Sequence, residues 1–427
     1  MQTSNSRCLV NMKWNALRTL LLLLTLAASV SSSLAQTTNA TPEIPPAVRF
    51  GTVLTFHSKI LGEDRPYFIN LPDSYNNKLF APQKYPVLYV LDGEANFDWT
   101  CTTVRFMSAQ LNAQIPEMIV VAIPNTGTNR FRDLTPTHST KDWEGKEAVV
   151  ISASGGGRKF EKFLAEELMP HIEGNYRTTP CRVFVGHSLG GLLAVDFFFQ
   201  RPGLFHGCIA IDPSFWWDDQ LPLREGREIF SKSKDLRGNI YVSGANNSAR
   251  KSPGREAAEA GRNYYTHFTE LLRTNATTGL RAKSDYYDSE DHGSVPFLSL
   301  YHGLLFIFDG FKLPLAEAAE DPMKLTPHFK MASARLGYEF LPPEFTVNWL
   351  GYQFLRNEKK PDKALQCFQL NVKNYPNSGN AWDSLADIWL QKGDIAQAIE
   401  HYERALKLSP NLKSAQNALK KLKKNDE

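Results

Sequence analysis

Little in this 427-residue chain is extreme, and what it lacks narrows its chemistry. Its most apolar run, Leu20 to Ala28, falls short of the roughly 20 residues needed to span a bilayer. Cysteine is scarce: there are five, at spacings that form neither a disulfide framework nor a zinc site. A net charge of +3 is too mild to argue for a nucleic-acid partner. The glycine-rich stretch SASGGGRKF lacks the lysine and serine of a P-loop, so it reads as a flexible loop leading into a helix, able to serve as a lid. No motif implies a metal or an organic cofactor. Hydrophobic residues at 42% and charged residues at 22% are ordinary values for a globular protein.

What is present begins with an export leader over residues 1–35. Arg7, Lys13 and Arg18 precede the apolar core, and Ser33-Leu34-Ala35 places small residues at the two positions that a signal peptidase reads. Cleavage is expected after Ala35, leaving a periplasmic or secreted chain with no stable membrane anchor. Gln36 rather than a cysteine would follow the cut, which argues against lipid attachment. Cys101, Cys181, Cys208 and Cys367 would remain. Cys181 and Cys208 open apolar strands, and these thiols are expected to be buried and free. Residues 36–48, polar and proline-rich, read as a linker.

From 49 to 312 strands alternate with helices. Val53 to His57 and Tyr67 to Leu71 read as a leading pair of strands. YPVLYVLDG, EMIVVAIPN, CRVFVG, CIAID, NIYVSG and KSDYYD follow. Helical spacing covers Phe160 to Ile172 and about 255 to 273. This alternation implies a mostly parallel twisted sheet with helices on both faces, the α/β class. Sites in such sheets form at the carboxyl ends of strands. Those ends carry Asp92, Asn125, Ser188, Asp212 and, just beyond the last strand, His292.

Strand signals stop after Phe311. A helical connector over 313–342 leads to a small all-α region over 343–427. There Leu385-Ala386, Trp389, Ala398, Tyr402, Ala405 and Pro410 fit the tetratricopeptide pattern of two packed helices, and Leu350-Gly351, Phe354, Ala364, Phe368 and Pro376 repeat it. Residues 412–425 read as a capping helix. Two repeats and a cap are fewer than the three units an independent array wants, so HFKMASARLGYEF (328–340) is expected to lean the array on the first domain. Such repeats offer a surface for a protein partner.

The strongest local signal is VFVGHSLGGLLAV, a G-x-S-x-G turn between a buried strand and an apolar helix. The turn would push the Ser188 hydroxyl out above the sheet, and the helix N-terminus would offer N–H groups to developing negative charge. A serine nucleophile needs a base. His292, after the last strand and before an apolar helix, is the candidate, in the order nucleophile then histidine. His57 and His138 precede the serine, His206, His267 and His302 lie in turns or helices, and His187 should point away from it. The oxyanion hole would combine the Leu189 N–H with that of Gly93 or Glu94.

The ordered set YVLDGEANF, IPNTGTNRFRDLTPT, FLAEELMPHIEGNYRTTP, VGHSLGGLLAV, IDPSFWW and DHGSVP resembles the esterase branch of the α/β-hydrolase fold, above all its enterobactin-type siderophore esterases, over roughly residues 49–312. The resemblance implies serine-hydrolase chemistry on a small-molecule ester, through an acyl-enzyme on Ser188 with His292 as base. One departure stands out. In that branch an acid usually follows the strand that here reads NIYVSG, where this chain has Ala245-Asn246-Asn247. Three substitutes are open: Asp212 at the end of the neighbouring strand, Glu256 on the next helix, or no acid at all. Asp212 is preferred, against the alternative that it merely caps the DPSFWW turn. Trp216 and Trp217 could line a pocket or divide between core and surface. Arg130, Arg132 and Asp133 could meet an anionic substrate or form a structural ion pair. Two further readings stay open: acyl transfer to an acceptor other than water, as in mycolyltransferases, and a scaffold that works through its repeats.

Overall fold

The computed structural model describes residues 51–109, 111, 113–232, 236–248, 255–275 and 279–425, so the expected leader and linker lie outside the described residues. The strands are β1 Thr52–Ser58, β2 Glu63–Asn70, β3 Tyr85–Leu91, β4 Ile119–Ile123, β5 Thr178–His187, β6 Gly207–Ile211, β7 Gly238–Ala245 and β8 Leu280–Tyr287. They form one sheet in the order β1-β2-β4-β3-β5-β6-β7-β8. β1, β2 and β4 pair antiparallel, and every pairing from β4 to β8 is parallel.

β3 and β4 are buried along their whole length, which is why they read as unbroken apolar runs rather than alternating ones. Successive side chains still divide between the two faces. Leu88 and Val90 enter one core, while Val87, Tyr89 and Leu91 enter the other. The second face is covered by helices Leu189–Gln200, Trp217–Lys232 and Arg255–Asn275, and the first by Gly93–Met107 and Val295–Ile307. The helix expected around Phe160 to Ile172 forms from Gly157 to Asn175, with a π-helical turn at Leu164–Leu168. Cys101, Cys181, Cys208 and Cys367 are buried free thiols, and burial raises the pKa of each.

SASGGGRKF is tied down rather than loose. Gly155 N–H donates to Thr135 Oγ1, Gly156 N–H to Arg132 O and Gly157 N–H to Thr135 O, at 2.8–2.9 Å. A Cβ on Gly157 would sit 2.6 Å from Thr135 O, so close backbone approach explains the glycine there.

The C-terminal helices pair as Glu344–Tyr352 with Pro361–Asn374 and Gly379–Gln391 with Ile395–Leu408, followed by Lys413–Asn425. A Cβ on Gly351 would meet the Phe368 ring at 2.5 Å, which is the close crossing that the small-residue pattern signals. The first three of these helices share a core with the sheet, while Ala386, Ala398, Tyr402, Ala405, Ala415 and Leu419 form a separate apolar cluster among the last three. One apolar cluster runs from Leu88 and Val185 through Leu304, Phe308, Phe311, Phe329 and Phe340 to Val347, Phe354, Phe368 and Leu385. Phe311 stands edge-on to both Phe329 and Phe340, with centroids 5.7 and 5.4 Å apart. Phe329, Leu336 and Phe340 belong to the segment expected to make this contact. A polar tie accompanies it. The fully buried Glu344 accepts from Ser378 Oγ at 2.5 Å and from the Ala81 N–H at 3.2 Å, and burial raises its carboxyl pKa.

A shared core predicts shared unfolding. The full chain should melt in one calorimetric transition, and Phe329→Ala should lower its stability by about 3–5 kcal/mol, as large-to-small changes at buried aromatics do. Two separate transitions would show instead that the repeats fold on their own.

Candidate active site

Ser188 sits between β5 and helix Leu189–Gln200 with φ 60° and ψ −120°, a backbone conformation that its surroundings must enforce. They do so by close contact. A Cβ on Gly186 would lie 2.0 Å from Gly190 O, so any side chain there would force strand and helix apart. The Ser188 N–H donates to Ile211 O at 3.0 Å, and Ser188 O accepts from the Ser214 N–H at 3.1 Å, pinning the turn to the end of β6.

Asp212 follows β6, also at positive φ (37°), with its N–H on Ser243 O at 3.0 Å. Its carboxylate does not cap the DPSFWW turn. Oδ1 accepts from the Ala245 N–H at 3.1 Å, and Oδ2 accepts from Asn247 Nδ2 at 3.1 Å and from His292 Nδ1 at 2.6 Å. The proton on Nδ1 is assigned from this carboxylate partner, which leaves Nε2 free to act as a base. Glu256 and Glu259 lie on the exposed side of their helix. Sequence reasoning assigned no role to Asn247. Besides its bond to Asp212, its Oδ1 accepts from the His292 N–H at 2.8 Å. The available signal was its position, since it stands where the carboxylate was expected.

Ser188, Leu189, Asp212, Asn247 and His292 line one cavity of about 350 Å³. Gly93 is not among its lining residues. It opens helix Gly93–Met107 behind Asp92, where a Cβ would meet Pro124 N at 2.9 Å. Among the described contacts no hydrogen bond joins the Ser188 hydroxyl to the imidazole, although both residues line the cavity. Such bonds are often long in free enzymes and tighten when substrate is bound.

The rest of the wall is aromatic and cationic. Trp216 lines the cavity and meets Trp143 edge-on at 6.3 Å, whereas Trp217 is fully buried and donates through Nε1 to Thr137 O at 3.2 Å. The tryptophan pair thus divides between cavity and core. The arginines divide too. Arg132 and Arg65 hold Glu63 and the buried Asp133 in a structural network. Arg130 lines the cavity, held in bidentate fashion by Asp92 at 2.7 and 2.9 Å. On the far wall Arg262 lies over the Tyr286 ring, 4.3 Å from its centroid.

His187 is not among the residues that line the cavity. Its ring packs against that of His292, with centroids 4.3 Å apart. Burial first, and then the neighbouring imidazole, depress its pKa to about 4. It therefore stays neutral at pH values well above 4.

With this geometry in place, the comparisons can be stated. Residues 58–283, more than half of the chain, match the Esterase family model, described as "Putative esterase". The chain belongs to this esterase family. Residues 379–412 match a tetratricopeptide repeat. The ferri-bacillibactin esterase BesA of Bacillus subtilis is 29% identical over 244 residues, covering 55% of this esterase and 81% of the relative. The siderophore triacetylfusarinine C esterase of Aspergillus fumigatus is 28% identical over 276 residues, covering 57% and 89%. Among solved structures, an IroE-like serine hydrolase from Shewanella oneidensis superposes with a TM-score of 0.67 at 30% identity, covering 76% of this esterase and 99% of that chain.

The depressed His187 pKa has a pH signature. Between about 4 and the ordinary value of 6.5 the unfolded chain binds a proton at residue 187 that the folded chain refuses. Stability from this residue is therefore complete above about 6.5 and is lost as the pH falls towards 4. His187→Phe should remove that component, so its melting temperature should fall less than the wild type's between pH 7 and 4. Parallel pH profiles for the two proteins would show that His187 contributes nothing of the kind.

Proposed function

We propose that this esterase-family chain is an exported serine carboxylic-ester hydrolase whose chemistry runs through Ser188, His292 and Asp212. The observation that carries this reading is the 2.6 Å bond from His292 Nδ1 to Asp212 Oδ2 on the wall of the cavity that Ser188 enters from its strained turn. His292 Nε2 takes the Ser188 proton as Oγ attacks the ester carbonyl, and the Asp212 carboxylate stabilises the imidazolium that forms. The resulting oxyanion is held by the Leu189 N–H at the start of helix Leu189–Gln200, one of the first-turn groups that lack an intrahelical partner. His292 then returns the proton to the departing alcohol. Water, activated by the same imidazole, releases the acyl group from Ser188 and restores the enzyme. The basic and apolar leader sequence supports export.

For the substrate we propose siderophore esters or related acyl esters with aromatic, anionic groups. Support comes from the cavity, where Arg130 and Arg262 stand among Phe131, Trp143, Phe215, Trp216 and several tyrosines. It comes also from the names of the relatives, which are siderophore esterases. The repeats supply a surface for a protein partner.

Hydrolysis rates on siderophore trilactones, feruloyl esters and short acyl esters test the substrate class, and labelling by a fluorophosphonate tests the nucleophile. Ser188→Ala should lose both activities with little change in melting temperature, and His292→Ala should lose nearly as much, because members of one catalytic unit are not additive. Asp212→Asn should lower kcat by about 10³–10⁴-fold, as the corresponding change does in a serine-protease triad. A loss below about tenfold with the fold intact would remove Asp212 from the mechanism.

A further inference from the structure

We infer that Asn247 is a positioning residue that locks the Asp212–His292 pair from the end of β7, an inference that rests on the reading of Ser188, His292 and Asp212 given above. Its amide is used at both ends: Nδ2–H donates to Asp212 Oδ2 at 3.1 Å, and Oδ1 accepts from the His292 N–H at 2.8 Å. The partners fix the orientation. With the amide turned over, oxygen would face a carboxylate and N–H would face N–H. One side chain therefore sets both where the base stands and which way the acid's oxygen faces.

The neutrality of Asn247 follows from the same geometry. Asp212 Oδ2 already accepts from the imidazole N–H at 2.6 Å and needs a second donor, not a second acceptor, on its other side. An ionised carboxylate at 247 would place like charges about 3 Å apart. A neutral donor at 247 thus suits a site whose acid stands just after β6. The same loop is stitched to the histidine loop nearby, where the Asn246 N–H donates to Glu290 O at 2.8 Å and Asn246 Nδ2 to Asp288 O at 3.2 Å. Asn247 is the member of that seam that reaches the catalytic groups.

A double-mutant cycle tests this, using fluorophosphonate inactivation and turnover of an activated acyl ester on the full chain. Asn247→Ala should lower kcat by about tenfold or more with KM nearly unchanged and the melting temperature close to wild type. In the Asp212→Asn background it should cost less than about threefold, because a residue that acts through Asp212 has nothing left to position. Asn247→Asp adds a second readout. It can donate to Asp212 only while protonated, so its activity relative to wild type should rise as the pH falls and its carboxyl takes up a proton. Additive losses, a loss confined to KM, no loss at all, or an Asn247→Asp penalty independent of pH would each overturn the inference. Retained turnover in Ser188→Ala would instead overturn the serine reading itself, so the two failures are distinguishable.

Discussion

The contact between residue 186 and the first turn of the helix that follows Ser188 governs the rest of the site. With no Cβ at Gly186, β5 can run straight into helix Leu189–Gln200, and the residue at the corner is forced to positive φ. Asp92 after β3 and Asp212 after β6 also have positive φ, so three neighbouring strands end in strained, non-glycine residues on one edge. Strain of this kind persists only where packing over-determines it. Here the packing is the twin apolar core on either face of the sheet, which holds the strand ends in register.

The charges are arranged around that edge so that each has a partner. Asp92 is neutralised by Arg130, Asp133 by Arg65 and Arg132, and Asp212 faces an imidazole that can become cationic. Asp92 thereby orients a guanidinium at the cavity, Asp133 a structural pair of arginines, and Asp212 the His292 ring. His187, kept neutral by burial, backs the His292 ring without adding a competing positive charge.

The repeats are held by the same physics as the sheet. A pair of helical hairpins leaves one apolar face uncovered, and here that face is covered by Phe311, Phe329 and Phe340, which extend the hydrolase core outward. Burying Glu344 at the junction is tolerable because Ser378 and the Ala81 N–H both donate to it.

The sequence by itself was enough for the elements whose cause is local. Gly186-His187-Ser188-Leu189-Gly190 between an apolar strand and an apolar helix determines an elbow, because the steric limit acts within five residues. Buried strands declared themselves through unbroken apolar runs, and the repeats through alternating large and small residues. Relations between distant residues were not legible in this way. That His187 faces His292 and that Trp216 and Trp217 part company depend on how separate segments are brought together. Asp212 could be named as a candidate acid from its strand end. That Asp212 rather than Glu256 bonds to His292, and that Asn247 stands between the two, required the lateral order of β6, β7 and the histidine loop. Hydrogen bonds act over about 3 Å, and only tertiary structure decides which residues, 35 and 80 positions apart in the chain, come within that distance.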